Sequence, residues 1–212
     1  MEKIVLVGSG GCMRELFWQI EECNQRELRF LVTGYVDIME DLNFESIYPC
    51  PYLGDDSYLL RQKKKTSVVI CVGDPKKRKE LVEKYSVNKN LCYPNIILPM
   101  DGIAPDVAYG KGCIISRDVV LSTNVTLGDF VFANLGTTIC HDGKIGDYTT
   151  LNPQVKLAGT VSIGSECSLG IGSTFIQGIT VGEEVIVGAG AVVIGDLPGK
   201  VTAVGVPARI IA

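Results

Sequence analysis

The chain has 212 residues, 46% hydrophobic and 21% charged, enough to bury a core in one large or two modest domains. A formal charge of −4 speaks against a nucleic-acid partner, which would need Lys and Arg clustered on one face. No uncharged run approaches the roughly 18 apolar residues of a membrane span, and Met1–Gly8 lacks the regions of a signal peptide. Of eight cysteines the nearest pair, Cys12 and Cys23, is 11 residues apart, so no CxxC exists. This usage fits small hydrophobes in a reducing compartment and predicts a cytoplasmic protein with no membrane partner.

In chain order, Lys3–Val7 reads as a strand and Gly8-Ser9-Gly10-Gly11 as a glycine turn. A helix follows through Leu16, Ile20 and Cys23. Leu31–Asp37 and Val68–Val72 read as further strands and Pro75–Tyr85 as a charged helix. Strands alternating with helices imply a small Rossmann-like parallel sheet over residues 1–95. The lysine runs Lys63-Lys64-Lys65 and Lys76-Lys77-Arg78-Lys79 read as solvated helix faces. Glycines before a helix N-terminus suit phosphate, but Met13 stands where a dinucleotide fingerprint needs a small residue, which argues against NAD.

From Ile97 onward every sixth residue is apolar without a break, through Ile115, Ile139, Leu157 and Phe175 to Val193. Chance gives such a run on the order of once in 10⁵ for this composition. A second small or branched residue falls four places later, as in Val119, Val125, Val155, Val161 and Val185. Neither a helical period nor simple alternation produces this pattern. It requires a short strand and a tight turn every six residues, with three such faces closing a triangular coil. Residues 96–212 therefore predict a left-handed parallel β-helix of hexapeptide repeats, and the small charge of this segment suits it.

His141 is the only histidine. Ile139 points inward in its hexapeptide, so His141 and Asp142 fall on an outward corner. A solvated turn residue is one reading. The other is a general base, since an imidazole can take a proton from an attacking hydroxyl or amine near neutral pH. Asp142 is then either an exposed turn residue or the group that orients the ring. Eighteen residues beyond His141 lies Gly159, one coil away at roughly 4.8 Å. Its amide can serve a developing oxyanion, or the glycine can merely make the turn.

The stretches VGSGGCMRE (7–15), GYVD (34–37), LGDDSYL (53–59), YPNIILP (93–99), ANLGTTICHDGKIGDY (133–148), LAGTVSIG (157–164) and AVGVPARII (203–211) span nearly the whole chain. Together they resemble the sialic-acid O-acetyltransferase family of sugar acyltransferases, which includes bacterial N-acetyltransferases of UDP-linked 4-amino sugars. The resemblance implies acetyl-CoA-dependent O- or N-acetylation of a sugar in surface-glycan biosynthesis. It implies no metal, and a homotrimer with active sites between protomers. It casts His141 as general base beside Asp142, with Gly159 at the acetyl group and Asn134 at the acceptor. Ile171, Ala189 and Arg209 would meet coenzyme A, and Gly10, Gly11 and Asp37 the sugar nucleotide. Cys12 and Leu98 depart from histidines common in relatives at these places. One histidine is too few for a zinc hydratase. A non-catalytic scaffold is the other class open to a β-helix.

Overall fold

The protein is described here from a computed structural model covering residues 1–40, 48–98 and 101–212; Pro99, part of one motif quoted above, lies outside the described residues. Two compact units divide the chain, Met1–Pro94 and Asn95–Ala212.

The first unit carries strands β1 (Glu2–Val7), β2 (Phe30–Val36), β3 (Tyr52–Gly54), β4 (Thr66–Ile70) and β5 (Leu91–Cys92). Its helices are α1 (Gly11–Asn24), α2 (Asp56–Leu60) and α3 (Pro75–Tyr85). The sheet runs β3-β2-β1-β4-β5 with every pairing parallel. Ile4, Val5, Leu6 and Val7 are all buried, as expected of a central parallel strand covered on both faces. Met13, Leu16, Phe17, Ile20 and Cys23 form the stripe by which α1 packs down. Strand order reverses between β1 and β4, and such a switch point opens a crevice at the strands' carboxyl ends.

Two details differ from the sequence reading. Lys63–Lys65 are not helical, because α2 stops at Leu60 and they fall in the connection to β4. Arg78 is buried, not solvated. It shares the inward stripe of α3 with Pro75, Val82 and Tyr85, and its Nη1 donates to the carbonyls of Val72 (2.6 Å) and Gly73 (3.3 Å). A guanidinium can be buried where its donors meet backbone acceptors. Asp74 caps α3 by accepting from the Lys77 amide at 2.9 Å, with Pro75 in the first turn.

The second unit is the left-handed β-helix. Two-residue strands recur every six residues and stack into three sheets of five, eight and five strands. Register is 18 residues: Thr138 pairs with Lys156 and Ile139 with Leu157. The inward column Leu121, Ile139, Leu157, Phe175 and Val193 is at most 1% exposed, and Val125, Val155, Val161 and Val185 fill the space between columns.

Periodicity of a second kind governs the corners. Every sixth residue from 112 to 190 has φ between +55° and +78°. Glycine or Asn suits this conformation, yet Phe130, Tyr148, Gln154, Thr160 and Glu166 adopt it too. Each such L-residue costs about 1–2 kcal/mol. Rung-to-rung bonds offset that cost, as where Asp142 N donates to Thr123 O (3.0 Å) and Thr160 N to His141 O (2.8 Å). The corners are thus repeated, rigid and interchangeable in backbone, and differ mainly in the side chains they present.

Candidate active site

His141 and Asp142 form the corner between the strands Thr138–Ile139 and Lys144–Ile145. Asp142 takes the left-handed position, φ 61°, which turns its carboxylate back toward the preceding imidazole. His141 Nδ1 lies 2.8 Å from Asp142 Oδ2. The other oxygen, Oδ1, accepts from Asn124 Nδ2 at 2.7 Å, one rung away. These two bonds, first that of His141 and then that of Asn124, hold the Asp142 carboxyl below the usual carboxylate range. Ionised, it can only accept. Nδ1 must therefore be the protonated nitrogen, which leaves the Nε2 lone pair as the basic atom.

Gly159 is buried against this ring. A Cβ there would overlap His141 Cε1 and Nε2. Gly159 is not among the residues with positive φ, so the turn does not require glycine; the ring does. The expectation of an open amide is modified, because the imidazole covers this residue. The Gly159 carbonyl accepts from Gly178 N (3.0 Å) and Thr160 Oγ1 (2.7 Å), while its amide has no intramolecular acceptor among the described residues. Base and donor thus share one spot. Among those residues no three His, Cys, Asp or Glu side chains are grouped to hold a metal.

Asn134 sits on the neighbouring corner and its Oδ1 accepts from Leu135 N at 2.8 Å, so its own turn uses that oxygen. Ile171 and Ala189 are exposed one rung apart on the corner column that also holds Leu135. Arg209 is exposed and lines a cleft of about 300 Å³ with Ile194, Asp196 and Ala208.

The crevice of the first unit, about 450 Å³, is lined by Gly8–Cys12, Asp37, Cys71–Gly73, Asp56 and Lys84. Gly10 caps α1, and the amides of Gly10, Gly11 and Cys12 have no intramolecular acceptor among the described residues. Such donors at a helix N-terminus suit an anion. Asp37 is fixed by Ser9 Oγ (2.6 Å) and the Ile38 amide (2.6 Å). Sequence reasoning missed Asp56 and Lys84. These two are paired, and the Tyr85 hydroxyl also donates to Asp56. Burial, and then Asp56, raises the Tyr85 phenol. Burial pushes the Cys12 thiol up to about 12, so it is no thiolate nucleophile.

Residues 3–85 match the PglD N-terminal domain family. The crystal structure of PerB from Caulobacter crescentus, in complex with CoA and GDP-perosamine, is 31% identical. It superposes with a TM-score of 0.86 over 100% of this chain and 98% of that one. The chain belongs to the hexapeptide-repeat sugar acyltransferases. A second member of these acyltransferases, the acetyltransferase domain of PglB from Neisseria gonorrhoeae FA1090, has a TM-score of 0.88 at 25% identity, covering both chains in full. The GDP-perosamine N-acetyltransferase of Escherichia coli O157:H7 is 40% identical over 106 residues, 47% of this chain. That match spans about half, 48%, of the E. coli enzyme's length.

Proposed function

We propose that this chain transfers the acetyl group of acetyl-CoA to the amino group of a nucleotide-linked amino sugar. The observation that carries the reading is the His141–Asp142 pair, with Nε2 directed at Gly159 beside an amide that lacks a partner. His141 Nε2 takes a proton from the acceptor nitrogen as that nitrogen bonds to the thioester carbonyl carbon. The C–S bond breaks, and the same proton passes to the departing thiolate, giving an amide and a free CoA thiol. Asp142 holds the ring and offsets the charge it gains. The Gly159 amide is the donor for the carbonyl oxygen as negative charge develops there.

The first unit takes the acceptor, with the α1 amides meeting phosphate and Asp37 a hydroxyl. Ile171, Ala189 and Arg209 meet coenzyme A, and Asn134 serves the acceptor. PerB, solved with CoA and GDP-perosamine, favours an amine over a hydroxyl as nucleophile. The protein acts as a homotrimer. Ile171, Ile176, Ile186 and Ile194 are 44–53% exposed on the second unit, apolar side chains that packing between protomers would cover. No described helix is long and apolar enough to cross a membrane, and we place the reaction in the cytoplasm.

The test is transfer of label from acetyl-CoA to a panel of nucleotide-linked 4-amino sugars, the matching free sugars and their hydroxyl analogues, with light scattering for mass. Label on the nucleotide-linked amines is the expected result. No transfer to any acceptor would leave a non-catalytic scaffold in front, and a monomeric mass would remove the trimer.

A further inference from the structure

The left-handed position of each corner tolerates many residues, including Phe130, Gln154 and Glu166, so backbone conformation alone does not explain Asn124 (φ 56°). Its contacts do. The Asn124 amide N–H is held by Asp106 Oδ2 at 2.9 Å, and its Nδ2 donates to Asp142 Oδ1 at 2.7 Å. Asp106, Asn124 and Asp142 follow one another at 18-residue intervals, one per rung. Asp142 is gripped on one oxygen by Asn124 and on the other by the imidazole.

A carboxylate's last torsion is soft, with broad wells, and the Asp142 side chain is 44% exposed. One bond to the ring does not fix its plane; two bonds on different oxygens do. We propose that Asn124 is a positioning residue, holding the Asp142 carboxylate so that His141 keeps its proton on Nδ1 and its lone pair on Nε2. Its side chain donates to Asp142 and acts through that carboxylate. This rests on the reading of His141 as the base, and it extends the catalytic ladder to a rung that no motif marks.

The test uses Asn124→Gly and Asn124→Asp in the full-length protein. Glycine keeps the left-handed corner and removes the donor. Asp keeps size and backbone tolerance but sets a carboxylate against Asp142. A merely structural role for Asn124 would be met by either. Because His141 is the only histidine, histidine-selective ¹⁵N labelling reports its tautomer without assignment, at a pH where the ring is neutral and with no substrate present. Wild type should show a single tautomer protonated on Nδ1. Both variants should show a mixture, with more displacement in Asn124→Asp. Turnover should fall about 10-fold, the rate equivalent of one hydrogen bond to an ionised group, with KM for both substrates unchanged. An undisturbed tautomer in both variants overturns the proposal, whatever happens to turnover. A disturbed tautomer with full turnover supports the positioning role and counts against His141 as the base, so the two failures are distinguishable.

Discussion

Gly159→Ala should unseat the His141 ring while leaving folding nearly intact. The new methyl would overlap Cε1 and Nε2 of the His141 ring. The backbone at this residue does not have positive φ, so alanine is conformationally acceptable, and the atoms in its way belong to a side chain 52% exposed. The ring can swing outward into water. Folding should therefore lose less than about 1 kcal/mol, the range of a surface change without a core cavity. Swinging out breaks the 2.8 Å bond to Asp142 and carries Nε2 away from the acceptor. Loss of a positioned base costs on the order of 10²–10⁴ in turnover, or roughly 3–5 kcal/mol of transition-state stabilisation. The assay is release of the CoA thiol followed with a chromogenic disulfide, with melting temperature measured on the same samples. A variant that melts like wild type and turns over within threefold of it would refute the idea that the ring needs this seat.

His141→Ala should melt as wild type and bind CoA normally in calorimetry while losing on the order of 10²–10⁴ in turnover, since no core contact is removed. Asp142→Asn should lose less, because the ring is kept. The Asp142 carboxyl is held below its ordinary value by His141 and Asn124. Its contribution to stability is therefore full above the unfolded value of about 3.9 and lost as pH falls through the lower folded value. The melting-temperature gap between wild type and Asp142→Asn should accordingly persist at pH 5 and close only under more acid conditions. Phe175→Ala, in a column position 1% exposed, should cost about 3–5 kcal/mol and lower the melting temperature by roughly 10 °C.

The β-helix was legible because one constraint repeats. An interior too narrow for polar groups demands an aliphatic residue at every sixth place, and Ile97 to Val193 meets that demand without a slip. The first unit was less legible, and the reasons are local. β3, α2 and β5 have three, five and two residues, too few to show a period. Arg78 was misread because its neighbours Lys76, Lys77 and Lys79 are charged as well; only α3 packed in place shows that position 78 shares a face with Val82 and Tyr85.

That His141, Asp142 and Gly159 lie together was legible, because the first two are adjacent and coil arithmetic puts the third one rung away. What arithmetic could not supply was direction. Eighteen residues place two side chains on neighbouring rungs, but they do not say that the imidazole leans onto Gly159 and not away from it, or that Asn124 reaches along the column to Asp142. Those outcomes depend on φ at the corner. With Asp142 at +61°, its carboxylate turns back to Nδ1 of the preceding residue and presents its second oxygen to the rung before. The tautomer protonated on Nδ1 therefore depends on a backbone conformation repeated at every sixth residue from 112 to 190, and this is one corner of many whose side chains make use of it.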